Sequence, residues 1–536
     1  MHPRKPRGHF VSRSTVTSFA AYLLFLTSLF AAADQPRSRS ASTKQKQLGM
    51  ESLRRAVAMA READVSSAAQ LLAFAGAAVP ASDPTLARTY YLQAMDMADN
   101  MPLTSPNDLR VSIQNSSVAG IAKRDPMFAM QLFRRIDKPD WTAFPESDMR
   151  DVAASAIVRS FVANTGTSKA DELAALLAYA GDTGEYPYNS ASTLLSALEE
   201  RHQKDLISKV FSDALRHIQE DETFTSAPGD FTDLLLSHSN SLPPSLCVAG
   251  VKAAVEAARR FDAKQKEHAG TEPRTMVLDT GKSQVAISKQ ATYIALRLLP
   301  LASRLDNRVA EELKHHDSDL QVATAGASSD ELANLASSRA SIVVGGGGVA
   351  SAQFAGVIRD QAESQNLVEL SQREPEKAIA SLSGIQDAAI KVRTQAAIAR
   401  NLIHSDPARA AAVLESAWGD SGKIIDTKEH VLALEIIADA WSTLNGPGHV
   451  RSVVSDGLSL AQKMYGESKD QKVDIFLLRP GVDEFGTLAG LLARVDPQAS
   501  VELAQSLDSP EAKAYVLLSV ARALLNFRPI TDQNKS

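Results

Sequence analysis

The chain has 536 residues, of which 44% are hydrophobic and 22% charged, and carries a formal net charge of −6. That acidic balance speaks against nucleic-acid binders, whose affinity rests on basic surface that neutralises phosphates. One cysteine, Cys247, excludes an internal disulfide, so a hydrophobic core must hold the fold, and the length implies two domains or one long repeat array.

Residues 1–33 read as an export signal. Arg4, Lys5, Arg7 and Arg13 precede an apolar run over residues 19–30, and Ala31-Ala32-Ala33 supplies the small residues that signal peptidase selects, with cleavage expected after Ala33. The run falls short of the roughly 20 apolar residues a spanning helix needs. No stable membrane insertion is expected once the signal is gone. Its removal leaves 53 Lys+Arg against 63 Asp+Glu, a net charge of −10. The sequence thus predicts a protein exported to the periplasm or the extracellular space, with disordered segments at 34–47 and 528–536.

Beyond the signal, the periodicity is helical. Val392, Ala396, Ala399 and Ile403 fall on one face, as do Val431, Leu434, Ala438 and Trp441, and again Ala514, Leu518, Ala521 and Leu525. Cys247 lies in such a run, as a small apolar side chain. An acid-Pro-x-x-small pattern recurs: Asp83-Pro84-x-x-Ala87, Asp125-Pro126-x-x-Ala129, Glu374-Pro375-x-x-Ala378, Asp406-Pro407-x-x-Ala410 and Asp496-Pro497-x-x-Ser500. The acid can cap free backbone N–H groups, proline fits the first helical turn, and the small residue admits a neighbouring helix. With Gly446-Pro447-Gly448 as a further break, these starts recur every 32–50 residues, the spacing of stacked helical pairs. The best-formed unit is 387–416: a long helix, a turn at His404-Ser405-Asp406-Pro407, then a shorter helix.

On these residues the chain resembles the tetratricopeptide-like and HEAT-like helical-repeat superfamily, in architecture and without a specific family. The tetratricopeptide Trp-x-x-Leu-Gly-x-x-Tyr signature is absent, so no binding residues are carried over. The expected fold is all-α, with antiparallel helical pairs stacked as an α-solenoid. Its expected parts are a degenerate-repeat domain over 48–344 with an irregular insertion at 263–283, a glycine-rich hinge at 345–351 between two halves, and a repeat domain over 352–527.

Several short motifs invite a chemical reading. Gly281-Lys282-Ser283 ends like a phosphate-binding loop, but Met276 stands where the first glycine belongs. Asp279-Thr280-Gly281 and Asp420-Ser421-Gly422 resemble aspartic-protease tripeptides, yet Lys282 and Lys423 follow the glycines and helical patterns flank both. Ser283 reads as the cap of a helix running to about 305, and a second helix is expected over 329–340. Glu467-Ser468 resembles the Glu-Ser pair, with Glu as general acid, of exported peptidoglycan lytic enzymes, but their Gly-Leu-Met-Gln segment is missing, and the pair reads as a solvated loop. Glu311, Glu312, His315, His316, Asp317 and Asp319 lack a recognised metal-ligand spacing and read as a charged face. Glu185-Tyr186-Pro187-Tyr188 reads as a rigid turn. Aromatic residues make up 5% of the chain, with Trp141, Trp418 and Trp441 as its tryptophans, few for the lined cleft of a carbohydrate-cleaving barrel. No catalytic, cofactor-binding or metal residue is assigned from sequence.

Two functions remain in view. The first is an exported scaffold that binds a protein or peptide partner on a concave surface, with no nucleic acid and no cofactor. Its alternative is an exported helical-barrel glycan hydrolase or lyase using paired carboxylates. A scaffold predicts an open superhelix with solvated acids; an enzyme predicts a closed cleft with facing carboxylates whose pKa values are raised.

Overall fold

The computed structural model describes residues 43–101, 109–137, 148, 150–221, 226–267, 274–279, 284–287, 289–324, 341–344, 349–468 and 480–526. The export signal, Trp141, the glycines 345–348 and the helix expected at 329–340 lie outside the described residues.

Twenty-three α-helices and three short strands occur among them. The first helices are α1 (Thr43–Glu62), α2 (Val65–Ala78), α3 (Pro84–Asp99), α4 (Leu109–Ala122), α5 (Pro126–Phe133), α6 (Asp151–Thr165), α7 (Ala170–Thr183) and α8 (Tyr188–Glu200). Then come α9 (Lys204–Glu220), α10 (Ala227–His238), α11 (Pro244–Glu267), β1 (Arg274–Asp279), β2 (Gln284–Ile287), α12 (Gln290–Leu305), α13 (Asn307–His315), α14 (Ser318–Thr324) and β3 (Ser341–Val344). The series ends with α15 (Val349–Ser371), α16 (Pro375–Ser381), α17 (Ala388–Leu402), α18 (Pro407–Ser421), α19 (Thr427–Thr443), α20 (Pro447–Ser468), α21 (Val482–Ala493), α22 (Pro497–Ser506) and α23 (Pro510–Asn526). Helix α1 thus begins inside the stretch expected to be disordered, and α15 inside the expected hinge.

The acid-Pro starts form as their chemistry dictates. Asp83, Asp125, Asp406 and Asp496 accept from the backbone N–H three residues on, at 3.0, 3.0, 2.9 and 3.1 Å. Proline stands in the first turn each time. Glu374 differs: it holds the cap position, but its side chain, one methylene longer, makes no capping bond and pairs with Lys377 at 2.5 Å. The small residues Ala87, Ala129, Ala378, Ala410 and Ser500 are fully buried, where the next helix approaches.

The helices stack in two layers. The sequence-alternate helices α15, α17, α19, α21 and α23 each touch the next, and so do α2, α4, α6, α8, α10 and α12. Their partners α16, α18, α20 and α22 touch the first layer more than one another. A curved stack crowds its inside and spreads its outside, so α15, α17, α19, α21 and α23 form the inner layer. In the N-terminal run α9 also touches α7 and α11, and α2, α4, α6, α8, α10 and α12 continue the same layer through the contact of α23 with α2. One contiguous core runs between the layers from Leu53 to Leu524.

Between the two runs of inner helices lies a seam made by the first and last described helices. Helix α23 packs on both α1 and α2, so the last helix supplies the inner member of a pair and the first helix the outer. Leu524 and Leu525 press against Gly49, Phe74 meets Tyr515 edge to face at 5.2 Å, and Asn526 Nδ2 donates to the Ala78 carbonyl at 3.0 Å. The superhelix is therefore not open at its termini. Its other margin is held by the strands: β3 pairs with β1, and β2 abuts α12. Four residues, 345–348, separate Val344 from the start of α15 at Val349, five Cα steps or at most about 18 Å of chain, so the array returns to within one short link of itself.

The sheet corrects the reading of 263–283 as a connection without structure. Its order is β2-β1-β3, all antiparallel, with Met276 opposite both Ile287 and Ile342. Residues 284–287 are strand, so the helix expected to open at Ser283 starts at Gln290. Asp262 of the preceding helix caps it instead, accepting from the Gln290 and Ala291 N–H groups at 2.9 Å each.

Inner and outer layers interlock through glycines. The buried Tyr91 ring of α3 lies between Gly76 of α2 and Gly120 of α4; a Cβ on Gly120 would sit 2.2 Å from Tyr91 Cζ. Alanine in a helix interior ordinarily gains about 1 kcal/mol over glycine. Here the rigid ring cannot yield, and Gly120→Ala is expected to cost about 2 kcal/mol, read as a lowered midpoint in urea.

Candidate functional site

The inner layer carries most of the buried polar side chains, among them Gln70, Gln114, Asn115, Ser190, Thr232, His238, Gln395 and Glu435. The most connected polar groups lie where α6, α8 and α10 are side by side. Arg150, at the N-terminus of α6, grips both oxygens of Asp148 (Nε–Oδ1 3.1 Å, Nε–Oδ2 2.9 Å) and also donates to Thr183 Oγ1 at 2.9 Å. Asp148 returns its backbone N–H to Glu185 Oε2 at 2.8 Å, while Ser226 Oγ donates to Glu185 Oε1 at 2.5 Å. Gly184 makes this possible, since a Cβ there would meet Arg150 Nη2 at 1.9 Å. On α6, Asp151 accepts from Ser190 Oγ of α8 at 2.7 Å.

Four carboxyls thus lie close enough to act on one another: Asp148, which holds Arg150, with Asp151, Glu185 and Asp230. Burial pushes Glu185 up to about 8, against its hydrogen bonds from Ser226 and Asp148. Burial, then the charges of Asp151 and Asp233, push Asp230 up to about 7. Burial raises Asp151 as well. These are raised acids of the kind an enzyme would need, yet Glu185, Asp148 and Asp151 already accept hydrogen bonds from donors of this chain.

A second chain of polar groups links the same helices. Ser192 and Glu199, both on α8, meet His238 at the end of α10: Ser192 Oγ lies 2.9 Å from His238 Nε2, and His238 Nδ1 lies 2.9 Å from Glu199 Oε1. A carboxylate only accepts, so in the neutral imidazole the proton belongs on Nδ1, which leaves Nε2 to accept from the serine.

A third feature is Glu435 on α19. It stands nine residues after its helix cap Asp426, where Ala396 follows Asp387 and Leu518 follows the capping Ser509 by the same interval. A carboxyl thus occupies a core position that other units fill with apolar groups. Burial, then the charges of Asp483 and Glu484, hold it well above the usual range.

The motifs singled out from sequence are dispersed. Asp279 lies in β1, whereas Asp420 ends α18, where hydrogen bonds from Lys423, Lys391 and Gln395 overcome desolvation and hold its carboxyl near 2. Glu467-Ser468 is not in a loop: it ends α20, with Ser468 buried and donating to the Tyr465 and Pro480 carbonyls. In the 311–319 cluster, Glu312 pairs with Lys252, Glu311 with Lys314 and Asp319 with Lys289, while Asp317 accepts from Thr292. No three of the described His, Cys, Asp and Glu residues are grouped to hold a metal ion. Cys247 is fully buried. Tyr186 and Tyr188 are buried too, with Tyr186 stacked on His217 at 5.0 Å. Among the described residues no helix is long and apolar enough to cross a membrane.

Fold and polar layer together define an all-α helical-repeat protein, built of antiparallel pairs in the manner of the tetratricopeptide-like and HEAT-like superfamily. No family model and no curated protein matches the chain. Among the solved structures it is similar to one described as "Circular tandem repeat protein with novel repeat topology and enhanced subunit contact surfaces", at 12% identity and a TM-score of 0.19, over 90% of this chain and 95% of that one. The helical-repeat architecture rests on this chain's own helix packing.

Proposed function

We propose that the chain is an exported helical-repeat scaffold that binds a protein or peptide partner on its inner layer, in the periplasm or outside the cell. One observation carries this reading: consecutive inner helices touch throughout both runs and across the seam, giving one continuous lining. Curved lining surfaces are what stacked helical repeats use for extended contacts. The segment 1–33, with its basic start and apolar run, supports export. The glycan hydrolase draws support from the raised Glu185 and Asp230, but the internal hydrogen bonds of that cluster leave it little to offer a substrate.

The test is site-specific photocrosslinking in envelope extract, with the crosslinker placed on inner helices α4, α8 and α17 or on outer helices α3, α9 and α18. The scaffold reading expects one partner captured from inner positions. Equal capture from outer positions, or glycan turnover by the purified chain, would sink it.

A further inference from the structure

We propose that Ser192, His238 and Glu199 form a nucleophilic site that cleaves activated acyl esters, an activity separate from partner binding. The arrangement has the order such chemistry requires: a hydroxyl on the imidazole nitrogen that accepts, and a carboxylate on the nitrogen that carries the proton, at 2.9 Å each. The neighbouring hydroxyls make the contrast. Thr193 Oγ1 donates back to the Asn189 carbonyl and Ser196 Oγ to the Ser192 carbonyl, as helical hydroxyls commonly do. Ser192 gives its proton to the imidazole instead.

Position supports the same roles. His238 is enclosed, with 3% of its side chain exposed, while Glu199 keeps 26% and Ser192 is half-buried. The imidazole is thus shielded, while Ser192 as a residue keeps part of its surface open. His238 also closes α10, where the negative end of the helix dipole favours the imidazolium that forms during reaction.

In the first step Ser192 Oγ attacks the ester carbonyl carbon and its proton passes to His238 Nε2. The tetrahedral adduct collapses, the ester C–O bond breaks, and the leaving alcohol takes that proton. Water then adds to the acyl-serine as His238 takes its proton; Ser192 departs with that proton and the carboxylic acid is released. Water is the sole co-reactant and nothing is oxidised or reduced. Glu199 is a positioning residue: it holds the tautomer and the ring. Activated esters are the class chosen because a good leaving group asks least of oxyanion stabilisation.

The same bonds also tie α8 to α10, and the experiment separates the two roles. The full chain is incubated with an alkyl fluorophosphonate, whose fluoride an activated serine displaces, and the adduct is mapped by peptide mass. Turnover of p-nitrophenyl acetate is followed alongside. The expected result is an adduct on Ser192 and none on Thr193 or Ser196, abolished in Ser192→Ala and slowed about 100-fold in His238→Gln. Glu199→Gln should slow labelling and displace the lower limb of its pH profile, with Glu199→Asp restoring part of the rate. An unlabelled Ser192 in folded wild-type chain overturns the proposal. So does a Glu199→Gln variant that loses melting temperature while its labelling profile stays unchanged. If His238→Gln does not fold, the wild-type selectivity for Ser192 over Ser196 decides the matter. None of these outcomes bears on partner capture by the inner layer.

Discussion

Deleting residues 43–62 is expected to lower the unfolding free energy by on the order of 5 kcal/mol and to split the melt into two transitions. Helix α1 buries Leu53, Ala56, Val57 and Ala60, and full burial of a Leu or Val side chain contributes roughly 1.5–3 kcal/mol. Its loss also uncovers α23, the inner helix that joins the two runs of the array. In stacked repeats stability is a sum of unit and nearest-neighbour terms, so removing this one interface leaves each half with an unprotected end. A point change tests the same seam: Gly49→Leu drives new carbons into Leu524 and Leu525, already 2.9–3.1 Å from where a Cβ would stand, at about 2 kcal/mol. A calorimetric scan of each variant is the measurement. An unchanged single transition in the deletion variant would show that the ends contribute nothing.

Raising the pH from 5 to 8.5 is expected to weaken the fold by a few kcal/mol, and Glu185→Gln should remove much of that slope. The sign follows from the direction in which burial moves the two acids. Glu185 and Asp230 are held above their ordinary values, at about 8 and about 7, so the folded protein keeps protons that the unfolded chain gives up. Their contribution is fully present below about pH 4, and it is lost progressively as pH rises to about 8. Every tenfold difference in proton affinity between the folded and unfolded chain corresponds to roughly 1.4 kcal/mol, reduced here because both carboxyls retain some contact with solvent. Glutamine keeps an acceptor for the Asp148 N–H, and the Ser226 hydroxyl can turn to accept from its amide. Urea midpoints of wild type and Glu185→Gln across this range measure the effect. Parallel curves would mean that Glu185 ionises normally in the folded state.

Helix starts were the most legible part of the sequence. An acid followed by proline has a local cause and a local result, and five such pairs open helices as expected, with Glu374 departing only in what its side chain does. The sheet was not legible, because Gln284–Ile287 and Ser341–Val344 are four-residue strands whose partner, β1, is set by tertiary packing. Ser283 illustrates the failure: a serine ahead of an apolar run suits a cap, but pairing of 284–287 with β1 outweighs that preference. The polar sites were hidden for a related reason. Ser192 and Glu199 lie seven residues apart on one helix face, and His238 follows Ser192 by 46 residues, within the repeat spacing. No motif marks them, and an expected stacking of α8 on α10 would have been needed to find them. Glu435 did leave a trace, as an acid beside the stripe of Val431, Leu434 and Ala438.

The pairing of α23 with α1 also sets the order of events when the chain is made. Its contacts bring Leu525 against Gly49, and the adjoining bond from Asn526 to Ala78 of α2 spans 448 residues; loop closure over such a span comes late in folding. Every other pair can form as soon as two successive helices are available, but this one waits for residues 510–526. A product truncated before residue 510 therefore lacks its locking unit and leaves the apolar faces of α1 and α2 uncovered. Such a product exposes apolar surface and is expected to be cut by added protease faster than a chain that includes α23.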